Sequence, residues 1–225
     1  MPRKLTSDMS LDTLESEVMF TQSMLRADPS TADLAPTLQS WQARISDIRS
    51  HDQQLRQQEA DVDASRIVGN SYLDHTCTRF GDELLLACGK DRTSPRWTKF
   101  FAMPVSDFIK QSLSRQVSIV QGWLTSTDEV LEKYRANLTT WTNQCATALQ
   151  RDSDLILTRG QLREEREKLA TDLTDERDGL HRTIAQRARE QGLDRSWPDQ
   201  FFRVERRRTQ NNTATSTTAM AVADA

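Results

Sequence analysis

Metal and cofactor chemistry needs clustered ligands, and this sequence scatters them. Its three histidines, His51, His75 and His181, lie in different parts of the chain. Asp178 and His181 are three residues apart, so they would share one helix face, as the Glu-x-x-His units of carboxylate-bridged iron bundles do. Such a site needs two units, and the chain offers one imperfect copy. We therefore predict no metal centre and no cofactor.

The cysteines and the apolar runs bear on the cellular setting. Cys77, Cys88 and Cys145 are an odd, widely spaced set without a CxxC motif, which argues against a disulfide framework and against a zinc ribbon. The first residues carry two positive charges but lack the apolar segment of a secretory signal. The longest apolar run, Leu84 to Cys88, is far shorter than the roughly 20 residues of a membrane-spanning helix. We expect a cytoplasmic protein without a membrane span.

Catalytic motifs are equally sparse. The sequence contains no G-x-S-x-G element, and Gly89-Lys90 does not form a phosphate loop because the preceding Gly81 is eight residues away instead of five. The charged cluster at 163–168 mixes signs at helical spacing, which is typical of a solvated helix face with i,i+4 pairs. With no catalytic constellation in sight, we predict that the protein is not an enzyme.

The composition indicates which elements must position the remaining side chains. Gly and Pro account for 7 and 6 of the 225 residues, too few for the frequent turns of an all-β fold. Hydrophobic residues make up 36% and charged residues 28%, so a thick globular core would be hard to fill. The net charge of -3 provides no dominant basic surface. We expect an all-α, elongated antiparallel helical hairpin or bundle.

Proline positions allow very long helices. The stretches 37–94 and 105–197 contain no proline, which is the residue that most reliably breaks a helix. Ser10 is a candidate N-cap, and Pro36 suits a first helical turn. We predict a single elongated domain at 10–191, with helices at about 10–27, 36–89 and 105–191 and a tip loop at 90–104. A flexible N-terminus at 1–9 precedes this domain. A linker with a short basic aromatic helix at 192–208 and a disordered tail at 209–225 follow it.

Two of these helices carry a coiled-coil-like heptad pattern. In the second, apolar residues keep one phase from Leu38 to Leu84, although the charged residues Asp52, Glu59 and Arg66 occupy seam positions. That stretch must therefore be loosely packed, paired by charge, or bent. The third helix repeats apolar residues every seven positions, at Leu113, Val120, Tyr134, Trp141, Ala148, Leu155, Leu162 and Leu169, with Thr127 as the exception.

The course of the chain at Gly160 has two alternatives. The third helix either continues to about residue 191 or turns back at 158–160 as a fourth helix. A single glycine costs a helix only about 1 kcal/mol, so it does not decide the matter. The unbroken register of Leu155, Leu162 and Leu169 favours continuation.

Two basic aromatic segments share one order of residues: Gly, Asp-Arg, Ser, Trp and Phe-Phe. The first is the tip at 90–101 and the second lies at 195–208. Their rings either plug the ends of the bundle or form, with neighbouring arginines, a docking surface for an acidic partner, a nucleic acid or an anionic membrane face. The candidate partner-binding residues are Arg96, Trp97, Phe100, Phe101, Trp197, Phe201, Phe202, Arg206, Arg207 and Arg208.

These patterns favour a non-enzymatic helical scaffold or protein–protein interaction protein. Thin helices with charged residues in the seam leave apolar strips incompletely covered, so self-association through coiled-coil packing would bury them. The alternative function is binding of nucleic acid or another anionic surface through the two basic aromatic segments.

Overall fold

The fold is all-α, as predicted. The computed structural model describes residues 2–203, and every regular element within that range is a helix. The elements are α1 (Leu11–Ala27), a first 3-10 helix (Ala32–Leu38), α2 (Gln39–Ala87), α3 (Pro95–Thr98), α4 (Val105–Phe108), α5 (Leu113–Trp123), α6 (Glu129–Glu190) and a second 3-10 helix (Trp197–Phe201).

The first two predicted helices are confirmed, with ends that differ by a few residues. The predicted continuation of the helix across Gly160 is also confirmed, because Gly160 lies inside α6. The single helix predicted over 105–191 is wrong, because the chain leaves the helical path at 109–112 and at 124–128. The second break ends at Asp128, whose carboxylate accepts hydrogen bonds from the backbone N–H groups of Val130 (2.9 Å) and Leu131 (3.4 Å). Side-chain oxygens that bond to the backbone compete with helix continuation, so a break needs no proline.

The chain divides into two compact units. Among the described residues, the first consists of 2–42 and 171–203, and the second of Ala43–Ala170. Nothing in the sequence pattern indicates this division.

In the second unit, α2 and α6 run antiparallel. His51 of α2 pairs with Glu165 of α6 at 3.5 Å, and Glu83 near the other end of α2 accepts from Lys133 at 3.1 Å. Buried residues recur every seven positions along both helices. They are Ile48, Leu55 and Val62 on α2, and Ala148, Leu162 and Leu169 on α6. Leu155, which completes the α6 series, is half-buried. The two helices thus share one narrow seam here.

The charged residues in the predicted seam are paired. Glu59 forms an ion pair with Arg159 of α6, Arg66 lies 4.0 Å from Asp152 of α6, and Asp52 pairs with Arg56 one turn along α2. Charge pairing is therefore how this stretch accommodates them.

An aromatic core fills the remainder of the second unit, where α3, α4 and α5 pack against α2 and α6. Phe80 of α2 contacts the rings of Phe100 (5.2 Å between centroids), Trp123 (5.6 Å) and Tyr134 (6.0 Å). Such rings bury large apolar areas, so they can hold together a layer built from very short helices.

The first unit combines an apolar core with a buried ion pair. Arg177 of α6 donates from Nη2 to Glu17 of α1 at 2.8 Å, and the two side chains are only 1% and 6% exposed. Burial lowers the pKa of Arg177, and the Phe202 ring lies 5.4 Å from its guanidinium carbon. Leu5 is buried and its N–H donates to Thr174 Oγ1 at 3.1 Å, so this part of the N-terminus, predicted to be flexible, is packed.

Candidate functional site

The aromatic residues of the first basic segment are core residues. Trp97, Phe100 and Phe101 are all buried, and the Trp97 and Phe101 rings stack at 4.9 Å. The cause is local: Ser94 Oγ accepts from the Trp97 N–H and starts α3, which turns the ring inward. These rings are not available as a docking surface, which corrects that prediction and agrees with the plug interpretation.

The second basic segment behaves in the same way. Phe201 and Phe202 are buried in the first unit, while Trp197 is half-buried with its edge against Phe201 at 4.9 Å. Arg206, Arg207 and Arg208 lie outside the described residues. The buried rings of Phe201 and Phe202 are therefore not available for stacking on a nucleic acid base, whereas that of Trp197 is partly accessible.

Arg96 serves the fold of the second unit. Its guanidinium donates from Nε and Nη2 to the Asp128 carboxylate at 2.7 and 3.0 Å. This contact holds the pKa of Asp128 below its usual range. Because Asp128 also caps α6, Arg96 joins the tip segment to the start of that helix.

The shared residue order of the two segments encodes one way of ending a helix. Gly89 and Gly192 follow α2 and α6 with φ angles of 65° and 68°, the left-handed conformation that favours glycine. The carboxylates of Asp91 and Asp194 then accept hydrogen bonds from the backbone N–H and hydroxyl two residues on. The Phe-Phe pairs follow and are buried. The repeat is thus explained by structure.

Four large apolar side chains on α2 and α6 of the second unit are exposed. Ile67 and Val68 on α2 are 66% and 46% exposed, and Ile156 and Leu157 on α6 are 67% and 69% exposed. We call these four residues the apolar strip. They lie out of phase with the heptad, so following the buried phase alone missed them; a search for apolar residues off that phase would have found them.

Two ion pairs fix how far apart the halves of the strip lie along the helices. Because Arg66 is paired with Asp152 and Glu59 with Arg159, the α2 half and the α6 half are offset by about seven residues, or roughly 10 Å. Each half is therefore at a different level of the antiparallel pair.

Two further observations concern possible metal ligands and membrane spans within residues 2–203. That range contains no cluster of three or more His, Cys, Asp or Glu side chains able to hold a metal ion. His181 instead contacts Asp199 at 2.9 Å from Nε2, and this hydrogen bond lowers the pKa of Asp199. No helix in the described part of the chain is both long and apolar enough to cross a bilayer.

Comparison with known protein families, with curated proteins and with solved structures finds no match for this chain.

Proposed function

We propose that this chain is a non-enzymatic helical interaction protein that pairs with a second copy through the apolar strip. One observation carries the proposal: Ile67, Ile156 and Leu157 each expose about two-thirds of their surface on a stretch where α2 and α6 share a single seam. Large apolar side chains clustered at the surface mark interaction sites more often than isolated ones do.

The offset of the two halves favours a second copy as the occupant. A two-fold axis perpendicular to the helices, placed midway between the halves, brings the α2 half of one copy to the level of the α6 half of the other. The α6 half of the first copy and the α2 half of the second are then level as well, which is the reciprocity that an isologous interface requires. Ala64 and Ser153, both exposed, lie near that midpoint, and their small side chains permit close approach.

The expected dimer is weak. Burying each two-thirds-exposed side chain would contribute about 1–2 kcal/mol, whereas association costs about 4–15 kcal/mol in lost freedom. Sedimentation of the full chain from about 1 to about 500 µM should therefore show a concentration-dependent shift from monomer to dimer.

Ile156→Glu should hold the chain monomeric across this range. The matched control is Leu86→Glu, since Leu86 is 64% exposed on α2 but lies outside the strip. A wild-type monomer at every concentration, or an equal loss of dimer in both variants, would reject the proposal.

A cross-linking experiment tests the two-fold arrangement itself. A photoreactive residue at Ile67, in a mixture of isotope-labelled and unlabelled chains, should capture the other copy near Ala60 and Ile156, which the axis brings to the same level. Inter-copy cross-links confined to the aromatic core region would refute this arrangement.

A further inference from the structure

A cleft with apolar walls opens beside α5 in the second unit. Its volume is about 450 Å³, within the roughly 300–1,000 Å³ of small-molecule sites. The Trp123 ring lies 4.8 Å from Phe101 and 5.0 Å from Phe108 between centroids, so the aromatic floor is already packed. The apolar lining includes Phe100, Phe101, Met103, Phe108, Ile119 and Trp123.

The polar groups of the cleft gather at one edge. Lys99 lines it together with the hydroxyl residues Thr98, Thr125 and Ser126. The Lys99 ammonium donates to Ser126 Oγ at 2.8 Å and lies 5.5 Å from the centroid of the Phe100 ring. An ammonium and a hydroxyl are thus held together beside an apolar wall.

Lys99 differs from the nearby Arg96 and Arg135 in its ion pairing. Arg96 pairs with Asp128, and Arg135 pairs with Glu132 at 2.6 Å. Within residues 2–203, no carboxylate lies within ion-pair distance of Lys99. The edge of the cleft therefore presents one positive charge that an incoming anion would neutralise.

We propose that this cleft binds a small amphipathic carboxylate, with its apolar body on the Phe101–Trp123 floor and its carboxylate on Lys99 and Ser126. An uncharged apolar molecule would form no ion pair with the Lys99 ammonium, and a cationic ligand would be repelled by it. The combination of an apolar cavity with a few convergent polar groups is typical of ligand sites. Charge-assisted hydrogen bonds are the stronger kind, so Lys99 would select the anionic group.

Gly122 supplies a blocking variant that should fold. It lines the cleft within α5, and a Cβ there would meet no atom within 4 Å. A non-glycine residue also favours the helix. Gly122→Leu should therefore keep the fold while placing a side chain in the open space of the site.

The test uses octanoate as the probe and octan-1-ol as its uncharged analogue, with calorimetry and the NMR shift of a carboxyl-labelled octanoate as readouts. Octanoate should bind one to one with a Kd below about 1 mM, and octan-1-ol about tenfold or more weakly. Lys99→Met should reduce octanoate binding to the level of octan-1-ol. Gly122→Leu should abolish binding of both, with circular dichroism verifying that each variant is folded.

Three results would overturn the proposal: no binding of octanoate at about 10 mM, equal affinity for octan-1-ol, or unchanged octanoate binding in Lys99→Met. The cleft shares no residue with the apolar strip. Ile156→Glu should therefore bind octanoate like the unaltered chain, and the two proposals can fail independently.

Discussion

Removal of Arg177 should strongly destabilise the first unit. Its side chain is 1% exposed and that of Glu17 is 6% exposed, so neither charge has water as an alternative partner. Arg177→Met keeps much of the side-chain volume but leaves the Glu17 carboxylate buried without its cation. Breaking a buried ion pair in this way costs about 3–5 kcal/mol.

Two further variants separate the stranded charge from the loss of packing. Replacing both partners, in Glu17→Leu with Arg177→Met, removes the stranded charge and should bring the free energy of unfolding back to within about 1 kcal/mol of the original or above it. The matched surface control is Arg159→Met, because Arg159 is 67% exposed and surface pairs contribute about 0–1 kcal/mol.

Urea unfolding followed by circular dichroism measures all three variants. The loss of unfolding free energy in Arg177→Met should exceed that in Arg159→Met by at least about 2 kcal/mol at pH 7. If Arg177→Met costs no more than the surface control, or if the double variant is as unstable as the single one, a stranded charge at Glu17 is not what destabilises the first unit.

Two other predictions concern the seam of the second unit. A Cβ at Gly69 would lie 2.9 Å from the Cys145 sulfur, so Gly69→Ala should destabilise the fold. A Cβ at Gly160 would meet open space, so Gly160→Ala should stabilise the fold by about 0.5–1 kcal/mol. Thermal melts compare the two variants, and equal effects would contradict the expectation. Burial raises the pKa of Cys145 to about 11 and also raises that of Cys77, so a thiol reagent at pH 8 should label the native chain at Cys88 alone, as counted by mass spectrometry; a second native label would count against it.

The sequence predicts the parts of this fold that depend on periodicity. Leu55, Val62 and Leu162 keep the heptad phase and are buried, and the register across Gly160 correctly indicates a continuous helix. The breaks at 109–112 and 124–128 contain no proline, so proline positions do not predict them. After the second break, the side chain of Asp128 caps the start of α6.

Periodicity does not predict the buried ion pair or the apolar strip. Glu17 and Arg177 are 160 residues apart, and no local pattern indicates that two such charges meet in a core. Aromatic residues are rare in polar connections, so those of the basic aromatic segments suggest a binding surface. In the structure, however, most of these rings are buried. The heptad pattern does not indicate Ile67 and Ile156, because both are exposed and lie outside the buried phase of their helices.

The close fit at Gly69 also bears on how α2 and α6 find their alignment. A seam that repeats every seven residues would accept a slide of one heptad almost as well as the native match. Such a slide would bring Val62 or Thr76 opposite Cys145, and either would place a branched side chain where even a methyl group is too close. A residue with no side chain thereby selects one alignment out of several that the repeating pattern alone would permit.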